Sequence, residues 1–395
     1  MGEVGIEDYL SEGFWHSSDC TVVVNDRDPL AVKQAVSVRG FVEGYSPLCG
    51  HIMFATSGST GSPKWVALSR EALLVSAAAV NRHLSVSESD CWLLALPPFH
   101  VGGMGILARS YLAGCRCIVF SSKWNVHSYL SHIEKEEVTL SSLVPTQLVD
   151  IVQSELKAPV SLRAVLLGGG RLDDEVYTKA LELGWPVIET YGMTETASQV
   201  ATAKLGSRAL HILDCWEVKN SSEASLMIKG RALMSGYLSC EKYCNYQPLD
   251  LDQGGWFTTN DLAVINSGLL TINGRADRCI KVLGELVNLD NVESEIARLN
   301  TTMKRFAVTA EYSLREGNVL NIYCQEEAVS QLESILAVYH LNCSPVARVK
   351  KIYVIDDFPL SSLGKIRYKD LLLVTCLRDI SVSLFENRCN GSVSR

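Results

Sequence analysis

A short run of small residues that ends in a lysine, T-S-G-S-T-G-S-P-K from Thr56 to Lys64, constrains this chain more than any other feature. The apolar segment H-I-M-F-A-T leads into it and K-W-V-A-L-S leads out of it, and both have the composition of β-strands. The two glycines let the backbone wrap closely around an anion, and the lysine adds a positive charge. The pattern predicts a phosphate-binding loop between two strands.

This loop differs from those of two large nucleotide-binding classes. A Walker loop has the form G-x-x-x-x-G-K-[ST] and runs directly into a helix. Here Pro63 stands five residues after Gly58, Trp65 follows the lysine, and the segment after it is strand-like. A kinase loop would need G-x-G-x-x-G here, with H-R-D and D-F-G downstream, and these are absent. The loop therefore indicates another kind of phosphate site.

The composition limits the function classes further. The chain has 395 residues, 47% of them hydrophobic, which predicts a globular protein of two or three domains. Its formal net charge of −8 argues against a nucleic-acid-binding protein. No apolar run is long enough for a membrane helix, and the N-terminus lacks the order of a signal peptide. We therefore expect a cytoplasmic enzyme, with no nucleic-acid partner and no integral membrane segment.

The 13 cysteines are scattered singly apart from two close pairs, Cys115 with Cys117 and Cys240 with Cys244, and no C-x-x-C pair occurs among them. Zinc ribbons and thioredoxin-like redox sites are therefore not expected. A cytoplasmic compartment keeps thiols reduced. We expect reduced, structural cysteines.

Strand-like and helix-like segments alternate after the loop. The strand candidates are C-W-L-L-A-L-P, C-I-V-F and L-R-A-V-L-L-G-G-G, and the helix candidates are V-H-S-Y-L-S-H-I-E-K-E and D-D-E-V-Y-T-K-A-L-E-L-G. Such alternation predicts an α/β fold with a largely parallel sheet. Short strands follow from Leu226 to Asn273, then a helix from Leu289 to Leu299. We place a domain boundary near Asp277.

Further motifs follow the loop in a fixed order along the chain. They are E-T-Y-G-M-T-E-T from residue 189, G-W-F-T-T-N-D from 255, G-R-A-D-R-C-I-K-V-L-G-E-L-V from 274 and P-L-S-S-L-G-K-I from 359. Together with the loop they resemble the adenylate-forming superfamily, which includes acyl- and aryl-CoA ligases, luciferases and peptide-synthetase adenylation domains. Asn260 departs from the family's glycine, and because asparagine tolerates positive φ we expect a turn there.

The resemblance implies a fold as well as a reaction. It implies a large N-terminal αβ-layered domain over residues 1–276 and a small mobile α+β C-terminal domain over 277–395. The hinge between them would be Asp277. Only 55 residues precede the loop, fewer than in most relatives, so we expect the N-terminal domain to be trimmed.

The resemblance also implies roles for individual residues. Tyr191 would stack on adenine, Thr194 would bond the α-phosphate and Glu195 would hold Mg²⁺. Asp261 and Arg275 would bind the ribose. The full set implied to contact ATP or CoA is Thr56, Ser57, Gly58, Ser59, Thr60, Gly61, Lys64, Gly168, Gly169, Gly170, Glu189, Thr190, Tyr191, Gly192, Met193, Asp261, Arg275 and Gly284. The catalytic residues would be Lys365, Glu195, Thr194 and His100.

The implied reaction uses ATP, Mg²⁺ and CoA as a co-substrate. A carboxylate attacks the α-phosphorus, which gives an acyl-adenylate and pyrophosphate, and the CoA thiol then displaces AMP. The segment L-P-P-F-H-V-G-G-M-G-I-L-A-R-S-Y-L-A-G, with V-L-L-G-G-G, is most similar to o-succinylbenzoate–CoA ligases of menaquinone biosynthesis. Such an aromatic substrate keeps a second carboxylate, for which Arg109 is the candidate partner. His100 and Gly169 are the other acyl-pocket candidates.

Several alternatives stay open at this point. The chain could be another aryl- or acyl-CoA ligase, a stand-alone adenylation enzyme that loads a carrier protein, or a non-catalytic AMP-binding module. Arg109 could instead extend its stem along an apolar surface at a helix end. A homodimer is one expectation for the oligomeric state, which the sequence leaves open.

Overall fold

The computed structural model describes residues 6–56, 64–240, 242–283, 285–299, 305–313, 317–361 and 364–382. Its α-helices are α1 (Glu12–Trp15), α2 (Pro29–Glu43), α3 (Arg70–Leu84), α4 (Val101–Ala113), α5 (Val126–Glu136), α6 (Pro145–Gln153), α7 (Asp174–Glu182), α8 (Leu289–Arg298), α9 (Val329–Asn342) and α10 (Tyr368–Leu371). Its strands are β1 (Thr21–Val23), β2 (His51–Thr56), β3 (Lys64–Ser69), β4 (Cys91–Leu94), β5 (Arg116–Val119), β6 (Leu140–Leu143), β7 (Ala164–Leu167), β8 (Val187–Tyr191), β9 (Ala201–Thr202), β10 (Leu210–Ile212), β11 (Glu217–Asn220), β12 (Ser225–Lys229), β13 (Gly236–Cys240), β14 (Cys244–Pro248), β15 (Phe257–Asn266), β16 (Leu269–Arg275), β17 (Cys279–Val282), β18 (Glu285–Asn288), β19 (Phe306–Ser313), β20 (Gly317–Cys324), β21 (Val349–Val354) and β22 (Arg378–Ser381).

The two strands predicted around the glycine loop are confirmed. β2 and β3 pair antiparallel over their whole length, with Thr56 opposite Lys64. Ser69 then caps α3 as predicted, since its side chain accepts a hydrogen bond from the Ala72 N–H at 3.0 Å. The loop itself, residues 57–63, lies outside the described residues, and with it the predicted contacts of Ser57, Gly58, Ser59, Thr60 and Gly61.

The predicted parallel sheet is also confirmed. Strands β5-β4-β6-β7-β8 lie side by side with all neighbours parallel, and β9 extends the same sheet antiparallel to β8. Apolar side chains of α5, α6 and α7 pack against it, with Tyr129, Ile133 and Trp185 almost fully buried. Parallel strands bring their carboxyl ends to one edge of a sheet, where α/β proteins usually bind ligands. Gly168 follows β7 at that edge, and Gly192 follows β8.

A second sheet has the order β1-β2-β3-β13-β14 and holds the base of the glycine loop. β13 and β14 form a hairpin in which Cys240 lies opposite Cys244. These two cysteines form a disulfide, so the expectation of reduced cysteines is wrong for this pair. The spacing rules could not reveal it, because the hairpin register, not the distance along the chain, brings the two thiols together.

The chain divides into two compact units. Unit 1 comprises Met1–Ser221, Met227–Thr258 and Ile265–Thr271, and unit 2 comprises Ser222–Leu226, Thr259–Val264 and Ile272–Arg395. The domain division at Asp277 stays a prediction.

Unit 2 contains a sheet of order β18-β17-β20-β21-β22, and β19 pairs antiparallel with β20 over its whole length. Its core includes apolar residues of α8 and α9, among them Ile296, Leu332 and Leu336. The predicted helix from Leu289 is confirmed, with Asn288 as its cap. Asn260 lies within β15 and its φ is not positive, so the expectation of a turn there is wrong. Pairing of the strand overrides the local preference of asparagine.

Within the described residues, no helix combines the length and the apolar character that crossing a bilayer requires.

Candidate active site

The base of the glycine loop is held by pairing between its two ends. The Thr56 hydroxyl donates a hydrogen bond to the Lys64 carbonyl at 2.8 Å. The Lys64 ammonium lies 3.3 Å from the centre of the Tyr237 ring, which belongs to the adjacent strand β13. The lysine predicted to contact phosphate is thus anchored by an aromatic face at the root of the loop.

A tight turn after β8 positions the predicted α-phosphate and Mg²⁺ residues. The Met193 N–H donates to the Thr196 hydroxyl at 3.2 Å, and Thr194–Thr196 form one turn of 3-10 helix. A Cβ on Gly192 would lie 1.5 Å from the Ser198 carbonyl oxygen, so only glycine fits there. This turn fixes the backbone of Thr194 and Glu195, which follow Tyr191 by three and four residues.

Glu195 is held from a distant part of unit 1. The Tyr237 hydroxyl donates to its Oε1 at 3.0 Å, and the Met234 N–H donates to its carbonyl at 2.8 Å. Among the described residues, Glu195 makes no ion pair with a lysine, arginine or histidine.

This environment suits Mg²⁺. No group of three or more potential metal-ligating side chains occurs in the described parts of the chain. Mg²⁺ needs none, since it commonly takes one carboxylate and fills its other positions with water and phosphate oxygens. A half-buried carboxylate that has no cationic partner within the described ranges, as Glu195 is, can serve as this one protein ligand.

The glycines after β7 lie next to the turn after β8. A Cβ on Gly168 would lie 2.6 Å from the Thr190 hydroxyl, which itself donates to the Leu167 carbonyl at 3.1 Å. Gly169 and Gly170 follow at the surface. The structure therefore brings two of the predicted motifs into contact at the carboxyl edge of the sheet.

Glu189 has a partner that the sequence did not indicate. Its carboxylate forms a two-point ion pair with Arg208, in which Nη2 lies 2.9 Å from Oε2. The same guanidinium also pairs with Asp174 and lies over the Tyr177 ring. Arg208 thus fixes the end of β8 just before Tyr191.

Two of the three acyl-pocket candidates, Arg109 and His100, belong to α4 and the residue before it, and the third, Gly169, follows β7. His100 occupies the N-cap position, and its ring centre lies 4.7 Å from that of Phe99. The Gly103 and Met104 N–H groups both donate to the His100 carbonyl at 3.0 Å. A Cβ on Gly103 would lie 2.2 Å from the Pro97 carbonyl oxygen, so close packing fixes how the helix begins.

Arg109 lies on the same helix and is only 2% exposed. Its Nε and Nη1 atoms have no hydrogen-bond partner among the described residues, and its guanidinium carbon lies 5.1 Å from the centre of the Trp92 ring. Burial lowers the pKa of Arg109 to about 9, which still leaves the side chain charged at neutral pH. A buried charge without an anionic partner is rare, because desolvation costs several kcal/mol.

The surroundings of Arg109 connect it to the turn after β8. A Cβ on Gly105 would lie 2.8 Å from the Arg109 Nη2 and 3.7 Å from the Ser198 Cβ. The guanidinium therefore occupies space that Gly105 leaves open, close to the residues that follow Glu195. This position does not match a solvent-directed arginine at a helix end.

Unit 2 carries the predicted ribose residues. Arg275 forms a two-point ion pair with Asp277, with Nε–Oδ1 and Nη2–Oδ2 both at 2.8 Å, and its Nη1 lies 3.3 Å from the Asp261 Oδ1. The hydrogen bonds between Arg275 and Asp277 are the main reason that the pKa of Arg275 is raised and the pKa of Asp277 is lowered. The predicted hinge residue is therefore tied to a predicted ribose-binding residue.

Lys365 lies in a short loop that closes on itself. The Ser361 N–H donates to the Lys365 carbonyl at 2.7 Å, the Lys365 N–H donates to the Ser361 hydroxyl at 3.1 Å, and Leu360 bridges to Ile366. Partial desolvation and then the positive charge of Arg275 lower the pKa of Lys365, and Asp261 opposes them. Within unit 2 the predicted catalytic lysine thus interacts electrostatically with both predicted ribose residues. Gly284 lies outside the described residues.

Comparison with known proteins decides the family. Residues 51–238 match the family model "AMP-binding enzyme". A curated 2-succinylbenzoate–CoA ligase from Enterococcus faecalis is 30% identical over 334 residues, which cover 79% of this chain and 67% of the relative. The chain belongs to the AMP-binding enzyme family.

Solved AMP-binding enzymes share the fold. O-succinylbenzoate CoA synthetase from Bacillus subtilis in complex with the acyl-adenylate intermediate matches with a TM-score of 0.69 and 26% identity, over 81% of this chain and 68% of that one. The same enzyme in complex with ATP and magnesium ion matches with a TM-score of 0.68 and 27% identity, over 81% and 69%. The α/β fold expected from the motifs is confirmed.

Sequence reasoning missed two residues of this candidate site. Tyr237 contacts Glu195 across 42 positions of the chain, and Arg208 contacts Glu189 across 19. Neither lies in one of the motifs that carried the resemblance. A single tyrosine or arginine has no local signature, so only the fold could reveal these contacts.

Proposed function

We propose that this chain is an ATP-dependent 2-succinylbenzoate–CoA ligase, which forms an acyl-adenylate and then an acyl-CoA thioester. The relative from E. faecalis carries that activity in its name, and the B. subtilis enzyme binds the acyl-adenylate intermediate. The observation in this chain that carries the substrate assignment is the buried Arg109 guanidinium, whose Nε and Nη1 have no partner among the described residues.

The first half-reaction needs positive charge near the phosphates. A carboxylate oxygen attacks the α-phosphorus, and the bond to the pyrophosphate oxygen breaks, giving the mixed anhydride. Lys64 would contact the phosphates from the glycine loop, and Thr194 would bind the α-phosphate. Lys365 would stabilise the negative charge that develops on the α-phosphoryl oxygens. Mg²⁺, held by Glu195, would neutralise charge on the phosphate oxygens.

The second half-reaction forms the thioester. The CoA thiol loses its proton, its sulfur attacks the acyl carbon, and the bond to the AMP oxygen breaks. The hinge at Asp277 and the passage of CoA near Gly284 stay predictions, as do the adenine and ribose contacts of Tyr191, Asp261 and Arg275. A homodimer and a cytoplasmic location also stay predictions.

Arg109 sets the substrate class within this proposal. An o-succinylbenzoate molecule reacts through one carboxylate and keeps the other, which a buried guanidinium would bind in a charge-assisted pair. A plain fatty acyl chain or benzoate offers no second anion. Such a substrate would leave the Arg109 charge desolvated and unpaired, which disfavours it.

The decisive experiment measures pyrophosphate and AMP release with o-succinylbenzoate, benzoate and a fatty acid, each with and without CoA. We expect o-succinylbenzoate to support AMP release only when CoA is present, at a far higher kcat/KM than the other acids. If no carboxylate gives CoA-dependent AMP release, the ligase assignment is wrong. If a carrier protein replaces CoA as the better acceptor, the enzyme loads a carrier instead.

A further inference from the structure

Tyr237 lies between two charged residues of the phosphate site. In the pairing of β13 with β3, Tyr237 is opposite Val66 and Ser239 is opposite Lys64. Residues at this diagonal offset share one face of an antiparallel sheet and lie within reach of long side chains. The register therefore sets the Lys64 ammonium over the Tyr237 ring, 3.3 Å from its centre.

The other end of the same side chain reaches the predicted Mg²⁺ ligand. The Tyr237 hydroxyl donates to Glu195 Oε1 at 3.0 Å. Three residues earlier, the Met234 N–H donates to the Glu195 carbonyl at 2.8 Å. One short segment thus fixes both the backbone and the carboxylate of Glu195.

The position of this segment is itself fixed by packing. A Cβ on Gly236 would lie 2.3 Å from the Gln247 carbonyl oxygen, so a larger residue would push β13 away from β14. On its other edge β13 pairs with β3, with Gly236 opposite Ala67 and Tyr237 opposite Val66. The hairpin therefore presents Tyr237 at a defined place.

The chemistry of a tyrosine suits this position. Lys64 and Glu195 carry opposite charges and both contact Tyr237, yet they form no ion pair with each other. A direct pair would neutralise both groups before phosphate or metal arrived. An aromatic ring accepts a cation on its face, and a phenol hydroxyl donates to an anion at its edge, so one neutral side chain can hold both.

We propose that Tyr237 is a positioning residue of the phosphate site, which keeps Lys64 and Glu195 apart and holds each in place for its own ligand. This inference rests on the proposed function, because it assumes that Glu195 binds Mg²⁺ and Lys64 binds phosphate. It adds a residue that none of the motifs includes.

Calorimetric titration of ATP into the intact protein, at a series of Mg²⁺ concentrations and without a carboxylate, tests this directly. In Tyr237→Phe the ring stays and the hydroxyl is lost. We expect the Mg²⁺ concentration for half-maximal ATP binding to rise about tenfold, while ATP binding without Mg²⁺ changes by less than about twofold. In Tyr237→Leu the ring is lost as well, and ATP binding without Mg²⁺ should weaken by about threefold to tenfold.

Tyr246→Phe is the matched control, because it removes a hydroxyl from the same hairpin that touches neither charged group. We expect it to keep the wild-type Mg²⁺ dependence, and thermal melts of all variants check that each one folds. An unchanged Mg²⁺ midpoint in Tyr237→Phe would overturn the proposal. Equal shifts in the two tyrosine-to-phenylalanine variants would also overturn it, since they would point to the hairpin instead.

The binding readout separates this inference from the proposed function. A wild-type protein that binds Mg²⁺-ATP but turns over no carboxylate refutes the ligase assignment, while the Tyr237 comparison still gives its result. A wild-type protein with ligase activity and a Tyr237→Phe variant of normal Mg²⁺ dependence refutes the positioning role alone. If the wild type binds no Mg²⁺-ATP, both are wrong.

Discussion

Two arginines of this protein stand in opposite electrostatic situations. Arg109 in unit 1 is buried, and its Nε and Nη1 have no partner among the described residues. Arg275 in unit 2 is half exposed and already engages Asp277 and Asp261. A buried charge without an anion destabilises the folded chain, whereas a paired one near the surface contributes little. Arg275 is thus oriented by carboxylates of the protein itself, whereas we propose that Arg109 takes its anion from the substrate.

The largest expected effect concerns Lys365, which lies near the paired arginine. Lys365→Ala should lower the rate of acyl-adenylate formation by about 10²–10³-fold, because it removes a cation that stabilises the transition state. Thioester formation from a preformed acyl-adenylate should continue. Single-turnover measurements of the two half-reactions check this, and an equal loss in both would contradict the assigned role.

A conservative variant tests the charge itself. Because the pKa of Lys365 is lowered, the ammonium should lose its proton below the usual value of 10.5, and adenylation should decline on the alkaline side of its pH profile. Lys365→Arg keeps the charge at high pH and should move this decline upward. A profile that does not change between the two enzymes would show that another group titrates there.

Arg109→Met tests the buried arginine of this comparison. The KM for o-succinylbenzoate should rise about 100-fold, the loss of one charge-assisted pair worth roughly 2–3 kcal/mol. The melting temperature of the ligand-free protein should stay the same or rise, since an apolar side chain of similar length replaces an uncompensated charge. Kinetics and thermal melts on one preparation measure both.

Benzoate is the control substrate for the Arg109→Met variant. It has no second carboxylate, so its kcat/KM should change by less than about threefold in Arg109→Met. A variant that melts earlier and loses both substrates alike would show that Arg109 supports the structure instead of binding substrate.

A smaller effect is expected within the paired cluster. Asp261→Asn should raise the KM for ATP about tenfold if this carboxylate accepts hydrogen bonds from the ribose. Asp277→Asn leaves Asp261 beside Arg275 and removes an exposed ion pair, so it should raise this KM by less than about threefold. Steady-state kinetics with varied ATP concentration compare the two variants. A larger rise in KM for Asp277→Asn than for Asp261→Asn would show that Asp277, not Asp261, contacts the ribose.

The last prediction concerns stability instead of activity and uses the buried carboxylate of Asp90. Desolvation alone would raise the pKa of Asp90, but hydrogen bonds from Arg163, the Ser87 N–H and Thr139 lower it to about 2. A lowered pKa in the folded state stabilises the protein above the unfolded value of 3.8 and loses that contribution as the pH falls through about 2.

Denaturant unfolding at several pH values measures this contribution, about 2 kcal/mol at neutral pH. In Asp90→Asn, the decrease in the free energy of unfolding that Asp90 causes between about pH 4 and pH 2 should disappear. If the wild type and this variant lose stability in parallel over that pH range, Asp90 is not the source of the pH dependence.

Much of the candidate site could be predicted from local sequence. The strands around the loop, the cap at Ser69 and the parallel strands that end at Leu167 and Tyr191 all depend on composition and on short-range hydrogen bonds, which leave a visible pattern. The motifs also gave the family. The Cys240–Cys244 disulfide and the extended Asn260 were missed, because strand register decided both.

The sequence by itself determined the fold class, the order of the motifs and the residue types available for adenylate chemistry. The tertiary structure decided which charges meet. Arg109 is buried with no partner for Nε and Nη1 among the described residues, Arg208 pairs with Glu189, and Tyr237 contacts both Lys64 and Glu195. Local patterns reach only a few residues along the chain, whereas these contacts join strands and helices far apart in sequence, and only packing of the fold brings them within a few ångströms.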